Sequence, residues 1–111
     1  MNIEKRMEIE RKVVRHLIRT MKKNDWKIVA AHDGGDDFFP ITTETEAMDA
    51  VFSVDESCLR FRKELKRHTV FIVLGNSGWD CIADYSYSTT DDFKDVMEKY
   101  VDPYCEKLEE L

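Results

Sequence analysis

The stretch CLRFRKELKRHTVFIVLGNSGWDCIADYS, Cys58 to Ser86, decides the fold. From Cys58 to Arg62 the apolar Leu59 and Phe61 alternate with Arg60 and Arg62, the period of two that marks a half-buried strand with a basic outer face. Lys63 to Arg67 makes a connection. Thr69 to Leu74 is then so uniformly apolar that it reads as a central strand covered on both faces. Gly75-Asn76-Ser77-Gly78 is a tight turn into a third strand, with Trp79, Cys81, Ala83 and Tyr85 on one face and Asp80, Ile82 and Asp84 on the other. The result is an antiparallel meander over 58–62, 69–74 and 79–86.

Upstream, Ile3, Met7, Val14, Leu17, Ile18 and Met21 recur at three- and four-residue steps and predict an amphipathic helix over 3–23. Asn2 is its cap, and Asn24 is placed to stop it in the left-handed conformation. Residues 26–32 read as a strand. Asp33-Gly34-Gly35-Asp36-Asp37 is a turn, after which Phe38 and Phe39 are placed to pair back briefly. Thr43 and Glu46 form a capping box that starts a short helix over 44–53. Downstream, Thr89 and Asp92 have the same spacing, and Phe93, Val96, Met97, Tyr100, Val101, Tyr104, Leu108 and Leu111 make a helical stripe over 90–110. Pro103 predicts a kink or restart near residue 102. Helices at both ends, a short one between, and a mostly antiparallel sheet make an α+β sandwich, a single domain over residues 1–111.

Composition narrows the class. At 42% hydrophobic and 36% charged, the 111 residues can bury a core and fall outside the disordered range. The longest apolar run is Val70 to Leu74, far below the ~20 residues of a membrane span. The first twenty residues are laced with charge, against a secretory leader. Cys58, Cys81 and Cys105 leave an odd thiol and form no C-x-x-C pair, which fits buried structural cysteines in a reducing cytoplasm. No motif implies a cofactor.

The net charge of -6 is unevenly placed. Residues 1–27 carry +5 and 60–68 carry +4, while 28–59 carry -8 and 69–111 carry -7. Arg11, Arg15, Arg19 and Lys22 run down one face of the first helix, and Arg60 and Arg62 extend the basic character to the sheet. The acidic remainder opposes nucleic-acid binding. On the last helix Asp91, Asp95, Glu98, Asp102, Glu106 and Glu109 form an acidic ribbon opposite the apolar stripe, suited to docking against a basic surface of a partner protein.

Chemistry has thinner support. Gly75 to Gly78 lacks the G-x-S-x-G spacing of a nucleophile elbow and joins two strands, so it reads as a turn. His32, Asp33 and Asp36, with Asp80 and Asp84, supply a nitrogen and hard oxygens; brought together, they would suit a divalent cation and a metal-dependent phosphodiester hydrolase. Exposed sheet faces leave self-association into a symmetric dimer as a further reading.

Asp55-Glu56 and Leu59, Val70-Phe71-Ile72-Val73-Leu74-Gly75-Asn76 and Ile82-Ala83-Asp84-Tyr85-Ser86, with the Asp33-Gly34 turn and the Thr43 to Glu46 helix start, resemble a loose group of small uncharacterised tailed-phage and prophage proteins over roughly residues 26–88. The resemblance implies phage origin and carries no activity. With the segregated charge, it makes the leading expectation a non-enzymatic phage accessory module that binds or inhibits a host protein in the host cytoplasm.

Overall fold

A computed structural model of the chain describes residues 2–35 and 37–110. Helix α1 (Ile3–Lys23) leads into β1 (Lys27–His32), a two-residue β2 (Phe39–Pro40), α2 (Glu44–Phe52), β3 (Glu56–Lys63), β4 (Lys66–Val73) and β5 (Ile82–Tyr85); a last helical run follows as α3 (Phe93–Val96), a π-helical turn Met97–Val101 and α4 (Asp102–Glu109). The five strands form one antiparallel sheet in the order β2-β1-β3-β4-β5. The fold is α+β, as the meander predicts.

Local chemistry sets the ends of the elements. Asn2 accepts the Lys5 N–H at 2.7 Å and caps α1. At its other end Trp26 N–H bonds Met21 O and Asp25 N–H bonds Lys22 O, a pattern that needs one left-handed residue. That residue is Asp25, at φ 68°, and Asn24 instead ties its side-chain amide to Thr20 O. At α2 Thr43 Oγ1 accepts the Glu46 N–H, and the Thr42 N–H and Thr43 hydroxyl hold the Glu46 carboxyl below its ordinary pKa.

The helices gather on one side of the sheet. Val13, Val14, Leu17 and Met21 of α1, Ala47 and Val51 of α2, and Phe93, Val96, Met97 and Val101 of the last run pack on Ala31, Leu59, Phe61, Val70 and Ile72 of the strands. The shortest molecular dimension, 20 Å, matches one helix layer of about 10–12 Å on one sheet. The expectation that β4 is covered on both faces is therefore corrected: Val70 and Ile72 are buried, but Phe71 is 45% exposed. Among the described residues no second layer covers its apolar outer face.

Other boundaries shift for identifiable reasons. β3 and β4 pair from Glu56 with Val73 to Lys63 with Lys66, so the hairpin connection is only Glu64-Leu65. The third strand is confined to Ile82–Tyr85, and a bulge at Ala83 moves Ile82 off the predicted face of Asp84: Ile82 sits opposite Ile72 and Tyr85 opposite Val70, both toward the core, while Asp84 pairs with Phe71 on the open face. The last helix begins at Phe93 and not near residue 90, because Asp91 Oδ1 takes the Phe93 N–H in a turn of its own. The π turn ahead of Pro103 breaks the phase of the predicted stripe: Val101 and Leu108 stay buried, and Tyr100 is turned out. Leu111 lies outside the described residues.

Candidate functional site

Cross-linking side chains from distant parts of the chain converge where β4 meets the loop before α3. His68 Nε2 lies 2.6 Å from Asp91 Oδ2, and with a carboxylate as its acceptor that nitrogen carries the hydrogen. The other ring nitrogen lies 3.4 Å from Ser86 Oγ. The hydroxyl, imidazole and carboxylate follow the order of a hydrolytic relay, an arrangement the sequence does not announce because the residues stand far apart in the chain. The surroundings give it a structural task. Ser86 Oγ already accepts the Thr69 N–H at 2.9 Å, and the imidazole lies between Trp26 and Phe93, with ring centroids at 5.4 and 4.9 Å and the residue 8% exposed. The ring is packed between two aromatic side chains, and Ser86, although exposed, already spends its oxygen on the strand amide.

Asp92, the next residue, accepts from Trp26 Nε1 at 2.9 Å and from Lys63 Nζ at 3.0 Å. Burial works to raise its pKa, but these two donors outweigh it, and the carboxyl titrates below its ordinary range. Together Asp91 and Asp92 fasten the start of the last helix to β1, β3 and β4.

This use removes Asp91 from the expected ribbon, since its side chain is only 1% exposed. Asp95, Glu98, Asp102, Glu106 and Glu109 remain along the last helical run, with Asp102 partly covered and the others exposed. Among the described residues only Glu98 has an ion-pair partner, Lys94 at 3.7 Å. Burial, then the charges of Glu98 and Glu106, hold the Asp102 carboxyl above its ordinary range. The Tyr85 phenol is raised by burial and then by Asp102 and Glu98, which puts the acidic face beside the β5 edge of the sheet.

The basic residues do not form one face. On α1, Arg19 makes a two-pronged contact with Glu44 of α2 at 2.7 and 3.1 Å, Arg15 stands 3.9 Å from the same carboxylate, and the Arg11 guanidinium lies 4.5 Å over the Phe52 ring. The stripe expected to meet phosphates is largely spent on holding α2. Lys22 borders an opening between α1 and β1. Arg60 and Arg62 belong to the uncovered sheet face, where Arg60 stacks on Phe38 at 3.8 Å and Arg62 Nε donates to Glu64 O at 2.7 Å.

The candidate cation ligands are spread out, and among the described residues no group of three or more His, Cys, Asp or Glu side chains is placed to hold a metal ion. His32 and Asp84 share the open face but are three strand spacings apart, about 14 Å. His32 Nδ1 accepts the Gly34 N–H, Asp33 Oδ1 the Gly35 N–H, Asp80 Oδ1 the Ser77 N–H and Asp84 Oδ1 the Tyr85 N–H, so each is engaged with its own local backbone. Asp36 lies outside the described residues.

The cysteines are free thiols. Burial pushes Cys81 far above its ordinary pKa and Cys105 up to about 11, which leaves both protonated and unreactive at neutral pH.

Among the described residues no helix is long and apolar enough to cross a membrane. No protein-family model, curated protein or solved structure matches this chain.

Proposed function

We propose that the protein is a non-enzymatic binding module whose last helical run docks on a basic protein surface. The observation that carries this reading is Asp102, a carboxyl kept above its ordinary range by burial and by Glu98 and Glu106, on a face with almost no cations of its own. Like charges held together raise the energy of the free protein, and a partner that brings Lys or Arg lowers it. The resemblance over residues 26–88 supports a phage accessory protein, and on that basis the partner is a bacterial host protein. A nucleic-acid enzyme, whose substrate channel is already lined with cations, is the class that fits.

Affinity capture from bacterial lysate with the full chain, tagged at either end in turn, tests this. The expected result is a retained basic protein that elutes as salt is raised and is lost with Glu98→Gln combined with Glu106→Gln. Failure to retain any protein at low salt, or retention indifferent to those substitutions, refutes it.

A further inference from the structure

We infer that the uncovered face of the sheet is the contact between two copies of this chain, stacked sheet on sheet about a two-fold axis. Because successive residues of a strand alternate sides, the buried Leu59, Phe61, Val70 and Ile72 fix their neighbours on the open side. The strand register then sorts that side into rows. At one end stand Lys27, Arg62 and Arg67; next come Ala30, Arg60 and Thr69; then His32, Cys58, Phe71 and Asp84; and at the far end Glu56 and Val73. The face is basic at one end, aromatic and small in the middle, and acidic at the other.

That order complements itself. Take a two-fold axis lying between two such sheets and running across the strands. It reverses strand direction but keeps each strand over its own copy, so Arg62 at one end of β3 meets Glu56 at the other end of the second β3. The middle rows then superimpose Phe71 and Cys58 on Thr69 and Arg60. Arg60 is already flattened on Phe38 and His32 is 5.1 Å from the same ring, so the centre offers a low, stacked surface to an opposing sheet about 10 Å away. An axis along the strands would oppose Arg62 to Arg62 and is disfavoured. The sheet projects roughly 450 Å² from its strand and residue spacings. That is short of the ~800 Å² per partner of a standard interface even with standing side chains counted generously, which places the contact among weak, exchanging associations.

This contact is independent of what the acidic helix binds: sedimentation reports the dimer and affinity capture reports the partner, so either reading fails alone. The test is sedimentation equilibrium of the full chain from about 1 to about 200 µM, a span bracketing micromolar dissociation. Wild type is expected to dimerise within that span and to weaken with salt. Phe71→Glu, a change at a side chain already facing water, is expected to be monomeric throughout with an unchanged circular dichroism spectrum. Glu56→Arg and Arg62→Glu are each expected to weaken the dimer at least tenfold, and the double variant carrying both is expected to recover most of that loss. Because Arg62 also donates to Glu64, Glu56→Arg is the single variant on which the argument stands if Arg62→Glu is less folded. A wild type monomeric to the highest concentration overturns the inference. So does a dimer indifferent to Phe71→Glu, a double variant no better than either single one, or a monomer that binds a fluorescent oligonucleotide through Phe71.

Discussion

Asp91 and Asp92 are neighbours with the same side chain, yet one is sealed on a histidine and the other meets Trp26 and Lys63 at two-fifths exposure. Neither job is readable locally, because His68, Trp26 and Lys63 reach them from β4 and the two ends of β1 and β3. Gly78 is a residue whose meaning is equally non-local. Its φ of 104° suits glycine, and a Cβ there would lie 3.0 Å from Ile9 Cγ2 and 3.3 Å from Arg6 O, so the turn rests directly on α1. Gly75 beside it donates its N–H to the buried Glu10 of the same helix at 2.8 Å. Gly78→Ala is expected to destabilise the fold by about 2 kcal/mol or more, through backbone strain and overpacking together. Urea unfolding measures this, and a loss below about 0.5 kcal/mol, the range of ordinary surface changes, contradicts the docked turn. The sequence marks the Gly-Asn-Ser-Gly segment as a turn, while its seat on α1 is decided by the packing of the whole chain.

At the scale of elements, the last helical run shows how one insertion in the hydrogen-bond ladder changes what a periodic pattern means. A stripe counted at 3.6 residues per turn carries Tyr100 and Tyr104 inward with Val101. The π turn Met97–Val101 shifts the phase, leaves Tyr100 51% exposed and sets the Tyr104 ring flat against His16 at 3.9 Å, with His16 Nε2 donating to Tyr100 O. The opposite face of the run supplies a prediction with two opposite signs. The folded pKa of Asp102 is raised, so its ionised form costs stability above that pKa, and the cost disappears as pH falls through it. Asp102→Asn is accordingly expected to raise the melting temperature at pH 7, with the gain over wild type shrinking toward pH 4, and at the same time to weaken partner capture. A variant that is no more stable at pH 7 removes the electrostatic strain on which the proposed function rests.

For the molecule as a whole, one continuous core joins all three helical parts to the sheet, from Val13 and Leu17 through Leu59 and Phe61 to Phe93 and Met97. Leu17, wholly buried at the centre of α1, has no alternative environment to collapse into. Leu17→Ala is expected to cost about 2–5 kcal/mol, and the far-ultraviolet signal of the helices and the near-ultraviolet signal of the aromatic side chains are expected to vanish in one transition. Separate transitions would mean that the last helical run and the sheet are not held by a single core.

The sequence by itself determined which segments become helix or strand, the antiparallel meander and the Asn2 and Thr43 caps, because each depends on residues within a few positions of one another; of the three cysteines expected to be buried, only Cys81 is, while Cys105 is half-buried and Cys58 stands on the open sheet face. Tertiary structure decided the rest. It put the helices on one side and left Phe71 open, since layer count depends on how many elements are left to cover a face and not on the hydrophobicity of β4. It spent Arg15 and Arg19 on Glu44 and Asp91 on His68, because a charge is free or engaged according to what folds beside it. It also set His32 and Asp84 three strands apart on one face: periodicity assigns a side chain to a face, and strand order alone sets the distance across it.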